Sequence, residues 1–425
     1  MKTQLAFFAC IALVACGAAD DGPDIDELAE EYLFLELSMG LHDTAHVDAY
    51  FGPEAFRAAA EAQAMSLEDV RLASGDLARR LAAVDTGGDE MLRMRVDGLA
   101  ARLRALAMRI AINLEEYPDF DAESLALFGS QAPDYDAGHF QAILDEVDAL
   151  LPGDGPLAGR VEAFNDRFVI PPDRMDAVFK AALDECRRRT LEHVELPDNE
   201  SFTIEYVNDK PWTGYNWYQG NARSLIQLNT DFPMYISKAV DLGCHEGYPG
   251  HHTFNALLEK NLVEDQGWIE YSLYPLFSPQ SLIAEGSGNY GIDLAFPGEE
   301  RMAFEKEVLF PLAGLDAGDA DLYYEVFALI ERLDYADNEA ARDYLNGNMT
   351  REDAAAWINR YELERADKSL QRTRFFDAYR SYVINYNHGK ALVADYVERG
   401  DAGTDERWAR FEKMLSSPML PRDLK

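Results

Sequence analysis

Basic residues are scarce in this chain. Thirty-nine lysines and arginines stand against 77 aspartates and glutamates, leaving a net charge of −38. That deficit excludes nucleic acid and anionic membrane surfaces as partners, because both would be repelled. The acidic excess reads as a solvated, solubilising surface. Cysteine is rarer still, with four residues, of which Cys10 and Cys16 fall at the extreme N-terminus. Only Cys186 and Cys244 remain in the body, so a disulfide scaffold is excluded as the basis of the fold, while the two could pair or stay as buried thiols. Beyond the N-terminus no apolar run approaches the roughly 20 residues of a spanning helix, and there is no repeat or low-complexity linker.

What is present begins with MKTQLAFFACIALVAC, where Lys2 precedes an apolar stretch from Leu5 to Ala15. This pattern predicts an export signal over residues 1–15. Leu13-Val14-Ala15-Cys16 resembles the bacterial lipobox, making Cys16 the expected site of lipid attachment. The mature protein is then expected at the periplasmic or cell-surface face of a membrane, held there only through its lipid.

From 24 to 196 the pattern is helical. Leu28, Tyr32, Leu35 and Met39 recur at helical spacing, as do Leu99, Leu103, Leu106 and Ile110. Breaks fall at GPE (52–54), TGGDE (86–90), QAPD (131–134), LPGDGP (151–156) and IPPD (170–173). Between 197 and 232 the texture changes: FTIEYVND alternates as a strand, RSLIQLNTD is a second strand, and the aromatic PWTGYNWYQGN reads as the loop between them. Helices return after Pro233, marked by Leu322, Val326, Leu329, Ile330 and Leu333, and again by Ala391 to Val397. A mainly α chain is expected, with a helical subdomain (24–196) and a catalytic subdomain (197–425) carrying one small sheet, joined as a single unit.

HEGYPGHH (245–252) holds three of the eight histidines beside a glutamate. In H-E-x-x-H, two histidines four apart on a helix share a zinc and the glutamate acts as general base. Here the later histidines are six and seven positions on. A straight helix would carry His251 about 240° around and His252 about 10 Å along the axis, so neither would meet His245 at one ion. Pro249 and Gly250 permit a bulge that brings one of them back.

HEGYPGHH resembles the H-E-x-x-P-G-H-H signature of the domain-of-unknown-function 885 family, exported bacterial proteins considered metallopeptidase-like. Weaker likenesses are the strand ARSLIQLNTDFP, AEGSGNY (284–290) against an E-G-W-A-x-Y element, YNHGKALVADYVER near the C-terminus and VDAYFGPE (47–54). The resemblance implies a large helical, gluzincin-type zinc-peptidase-like domain with its sheet beside the active site. It also implies one zinc ion, with His245 and Glu285 as ligands and Glu246 as general base. His251 is the preferred third ligand, with His252 a supporting residue or the alternative. Ser287 and Gly288 depart from the family's tryptophan and alanine, and Asn387 and His388 from its apolar residue and lysine.

Amide hydrolysis also needs a donor for the oxyanion, and Tyr386 and His388 are the candidates. The strand around Arg223 and Leu225 could take an extended peptide as a further strand, with Tyr215, Trp217 and Tyr218 lining the cleft. Arg223, Arg372 and Arg374 are candidates for binding a terminal carboxylate. His42 and His46, with Asp43, have better zinc spacing but no base, and are expected to be structural. Arg187 to Arg189 read as a solvated face balanced by Asp184, Glu185 and Glu192. Ser287 lacks the strand-to-helix context of a nucleophile elbow. The expected function is a zinc metallopeptidase. The alternatives are an inactive surface binder of peptide or metal, and a hydrolase of non-peptide amides or esters.

Overall fold

The structure is a computed structural model that describes residues 23–210 and 212–425. The export signal and Cys16 lie outside the described residues. No helix among those described is long and apolar enough to cross a membrane.

The chain is mainly α-helical, as its periodicity predicts. Helices Ile25–Gly40, Leu67–Leu81, Glu90–Asn113, Phe120–Phe128 and Ala137–Leu150 each begin at an aspartate or serine whose side chain accepts a backbone N–H of the first turn. All five predicted breaks fall between helices. Leu28, Tyr32, Leu35 and Met39 pack against Leu99, Leu103, Leu106 and Ile110 in one core cluster, so both apolar stripes face each other. Two larger clusters draw residues from both sides of position 196: one joins Ala105 to Tyr382, the other joins Phe140 to Ile226 and Tyr361.

The β-structure is more extensive than the sequence suggested. Five strands form among the described residues: β1 (Val47–Tyr50), β2 (Ser201–Val207), β3 (Gly214–Tyr218), β4 (Arg223–Asn229) and β5 (Leu273–Pro275). β1 lies inside the stretch read as helical and pairs antiparallel with β5. β3 lies inside the stretch read as a loop. The larger sheet has the order β2-β4-β3, with β2 parallel and β3 antiparallel to β4. The RSLIQLN strand is therefore central and both its edges are taken. It cannot accept a peptide strand, and the edge beside the histidine motif belongs to β3 instead.

Cys186 and Cys244 form a disulfide, with Cα atoms 5.4 Å apart. It fastens the helix Met175–Thr190 to the residue preceding His245. The neighbouring arginines are only partly a solvated face. Arg188 pairs with Glu185 and Glu192 as expected, but Arg187 bonds Glu200 and Arg189 reaches Glu300 and the carbonyl of Ala295. Asp184 takes no part in these pairs.

Candidate metal centre

The motif does not sit on one helix. Ser237–Leu242 is α-helical, Gly243–Gly247 widens into a π-turn, residues 248–250 leave the helix through a cis Tyr248–Pro249 bond, and His251–Leu258 begins a new helix. π-Turns of this kind re-aim side chains at functional sites. Gly250 is required for the return: a Cβ there would stand 1.9 Å from the carbonyl oxygen of His245, while its N–H donates to the carbonyl of Cys244 at 3.0 Å. The bulge inferred from Pro249 and Gly250 thus takes the form of a wide turn followed by a fresh helix.

The result sets His245 and His251 edge to face, with ring centroids 4.6 Å apart. Glu285 comes to them from the helix Pro279–Ala295, which crosses the helix Ile384–Val397 at two glycines. A Cβ on Gly286 would lie 2.5 Å from the Gly389 carbonyl, so only glycine allows this approach. His245 Nε2 lies 3.2 Å and His251 Nε2 3.7 Å from Glu285 Oε2. One ligand atom from each of the three falls within 4.8 Å of the others, and no further cluster of this kind occurs among the described residues.

Neighbouring groups aim these atoms. Tyr382 donates its hydroxyl to Glu285 Oε1 at 2.7 Å, while the buried Oε2 accepts no hydrogen bond and faces the two imidazoles. Asn289 Nδ2 donates to the Tyr386 carbonyl at 3.0 Å, which turns Oδ1 of that amide toward His245 Nδ1, 2.9 Å away. With an ion in place, Nδ1 would keep its proton against Asn289 and Nε2 would offer its lone pair. Two imidazole nitrogens and one carboxylate oxygen are the donor set of a catalytic zinc site, and these residues fit zinc.

Electrostatics agree with a place prepared for a cation. Burial opposes the charge on His245, but the Glu285 carboxylate 3.2 Å away and the charge of Glu246 outweigh it and raise the pKa to about 9 in the metal-free protein. Burial holds His251 down at about 4 despite the charge of Glu285, so it stays neutral. Glu285 is pushed up by burial, yet His251 and His245 hold its carboxyl below the usual range. Glu246 is pushed up to about 7 by burial, with His245 opposing and Glu285 and Asp48 adding to the shift. Its Oε2 is buried and without a hydrogen-bond partner.

His252 turns the other way. Fully buried, it meets Ser224 Oγ at 2.8 Å through Nδ1 and Glu200 at 3.1 Å through Nε2, and Glu200 also accepts from Tyr248 and Arg187. Ser224 and His252 are buried and Glu200 partly so, and this line of side chains anchors the turn.

Tyr386 borders the centre: Glu285 and Glu246 both act on it, and its pKa, raised by burial first and by Glu285 next, keeps the hydroxyl protonated. His388 does not join it. Its ring faces Ser130 Oγ at 2.8 Å, because a residue two positions after Tyr386 lies on the opposite side of the helix. Tyr218 is also turned away, donating to Glu259 beneath the sheet. Arg223 and Leu225 lie toward the far end of β4 from Leu228, the residue paired with Gly214, and a Cβ on Gly214 would stand 2.9 Å from Glu246 Oε1. Trp217 is exposed and bonds Gln227, continuing outward a ladder of rings with Tyr215 and Trp212. Tyr215 itself bonds Asp48 near the centre. His42 and His46 separate: His42 bonds the Met65 carbonyl and His46 is buried against Glu36, so their spacing forms no metal pair. Ser287 is buried and donates to the Ala284 carbonyl.

Tyr382, Asn289 and Asp48 were not singled out from the sequence. Two carried a signal, since Asn289 follows Glu285 by one helical turn and Tyr382 precedes Tyr386 by one.

No family model and no curated protein matches the chain. Among solved structures, a lipoprotein candidate from Colwellia psychrerythraea is 16% identical, with a TM-score of 0.51 over 85% of this chain and 66% of that one. This chain thus spans slightly under two thirds of that protein's length. A lipoprotein candidate of unknown function from Shewanella oneidensis is 14% identical, with a TM-score of 0.39 over 87% and 74%. An M32 carboxypeptidase from Deinococcus radiodurans is 14% identical, with a TM-score of 0.43 over 92% and 88%. The Colwellia likeness concerns the fold alone.

Proposed function

We propose that this chain is a zinc-dependent metallohydrolase that cleaves peptide bonds and belongs with the exported proteins its HEGYPGHH signature resembles. The observation that carries the reading is the meeting of His245 Nε2, His251 Nε2 and Glu285 Oε2 beside the unpartnered carboxylate oxygen of Glu246.

Zinc held by His245, His251 and Glu285 would supply a Lewis acid that makes water acidic and polarises the scissile carbonyl. Glu246 takes the proton from the attacking water and passes it to the leaving amine; a pKa raised by burial suits a group that must both accept and return a proton. Tyr386, its hydroxyl protonated and free of any hydrogen bond to a described residue, donates to the oxyanion. Tyr382 and Asn289 act through the ligands, fixing Glu285 and the tautomer of His245.

Of the three arginines considered for a terminal carboxylate, Arg372 is the one near the centre, over the Phe375 ring that in turn meets Tyr386. Its guanidinium already bonds Asp337. Arg374 is exposed. On this reading the protein is exported and anchored through Cys16, in keeping with the lipoprotein candidates it resembles in fold.

The test is the Glu246→Gln protein, assayed on a mixed peptide library with and without chelator. Chelator-sensitive cleavage by the wild type, with zinc retained and cleavage lost in the variant, is expected. Retention of peptides without cleavage by the wild type would favour a binder. Turnover of small amides without peptide products would favour the non-peptide hydrolase.

A further inference from the structure

Asp48 stands among the groups of the metal centre, carried there by β1. Tyr215 on β3 donates its hydroxyl to Asp48. Gly214, the residue before Tyr215, lies against Glu246, where a Cβ would stand 2.9 Å from Oε1, and the charge of Asp48 acts on Glu246 as that of Glu285 acts on Asp48. Burial pushes the Asp48 carboxyl up to about 7, with the Tyr215 hydrogen bond opposing and Glu285 adding. No lysine or arginine among the described residues lies close enough to offset its charge.

The charges can be counted. A dication at the centre is matched by the carboxylates of Glu246 and Glu285, which leaves Asp48 without a counter-charge. Asp48, Tyr215 and Tyr379 are nevertheless each only partly buried as residues, so this side of the centre is not closed from solvent. The Tyr215 ring lies 5.3 Å from Trp212 and 4.6 Å from Trp217, and Tyr379 and the buried Tyr274 both feel the Asp48 charge. A carboxylate whose hydrogen-bond partner is a neutral hydroxyl, with no basic side chain to balance it and aromatic residues around it, is an arrangement that receives an ammonium or guanidinium group.

We propose that Asp48, braced by Tyr215, selects substrate by receiving a cationic group of the peptide, either the terminal ammonium or a lysine or arginine side chain. This rests on the peptidase reading. A purely structural role, in which the pair only fastens β1 to β3, is separable from it. Asp48→Asn leaves an oxygen to accept from Tyr215 and removes only the charge.

The experiment measures peptide binding by calorimetry to the zinc-loaded Tyr386→Phe protein, which keeps all three carboxyl groups but lacks the oxyanion donor, with and without Asp48→Asn, melting curves confirming that both fold. The probes are a lysine-containing peptide and its norleucine analogue, each with a free and an acetylated N-terminus. Loss of the recognised cation is expected to weaken binding about tenfold when Asp48 is intact and less than about twofold with Asp48→Asn. Whether acetylation or norleucine causes the loss identifies the cation. Equal binding of all four peptides, a preference that survives Asp48→Asn, or no binding at all with zinc in place would overturn the proposal. Cleavage by the wild type reports separately. Cleavage that is indifferent to charge would sink this inference and spare the peptidase reading, whereas charge-selective binding without cleavage would do the reverse.

Discussion

A Cβ on Gly288 would stand 2.8 Å from Nδ1 of His245 and 2.9 Å from its Cε1. The resembled E-G-W-A element has alanine at this place, so the departure makes room for the imidazole where it meets Glu285. Gly288→Ala is expected to displace that ring, disturb its contact with Asn289 and weaken zinc binding about 10- to 100-fold. Competition against a chelator of known affinity measures this. Unchanged affinity would mean that the ring position is not critical.

The adjacent histidines should fail differently. His251→Ala removes a ligand and should abolish tight zinc binding while leaving the metal-free melting temperature nearly unchanged. His252→Ala empties a fully buried position bonded to Ser224 and Glu200 and should cost about 2–4 kcal/mol of stability. Thermal denaturation with and without zinc distinguishes the two, and a reversal of the pattern would exchange their roles.

The pH dependence has a definite sign. Metal-free, Glu246 and Asp48 are raised to about 7 and His245 to about 9. Asp334, raised by burial and by Glu331, also stands at about 7. Groups raised in this way bind protons more tightly when folded, so their contribution is complete below the unfolded pKa and is lost as pH rises through the folded one. His251, lowered to about 4 from an ordinary 6.5, acts only below that ordinary value. Between about pH 6.5 and 9 the metal-free melting temperature should therefore fall. The gain on adding zinc should grow over the same interval, because the ion displaces the proton of His245. Melting curves in chelator and in zinc, taken through this range, would contradict the assignment if they ran parallel.

The disulfide bears on the same turn. Cys186 and Cys244 are fully buried and 58 residues apart in sequence. Replacing both with alanine should destabilise the protein by about 4 kcal/mol, on the loop-entropy model. It should also weaken zinc binding, because Cys244 immediately precedes His245. Calorimetric unfolding and zinc titration of the double variant test the two effects separately.

The helices were legible because their apolar residues repeat on one face, as Leu28 to Met39 and Leu99 to Ile110 show. β1 was not: four residues between helices acquire strand character only by pairing with β5, far along the chain. β3 was hidden because glycine, asparagine and aromatic residues read as a loop until an antiparallel partner is known. In the site, the histidines and glutamate of HEGYPGHH pointed to a metal, and Glu285 came from the resemblance of AEGSGNY to the family element. The choice between His251 and His252 depended on how far a π-turn and the residues at 248–250 rotate the chain, a backbone property that motif spacing does not encode. His388 was misplaced for a simpler reason, since two steps along a helix cross to its other side.

Zinc content per chain tests the central claim most directly. The protein would be stripped with chelator, reloaded with zinc, desalted and measured by elemental mass spectrometry alongside its variants. The account predicts about one zinc per chain for the wild type, Glu246→Gln and His252→Ala, and close to none for His245→Ala, His251→Ala and Glu285→Ala. A wild type that retains no zinc, or a folded Glu285→Ala protein that retains all of it, would contradict it.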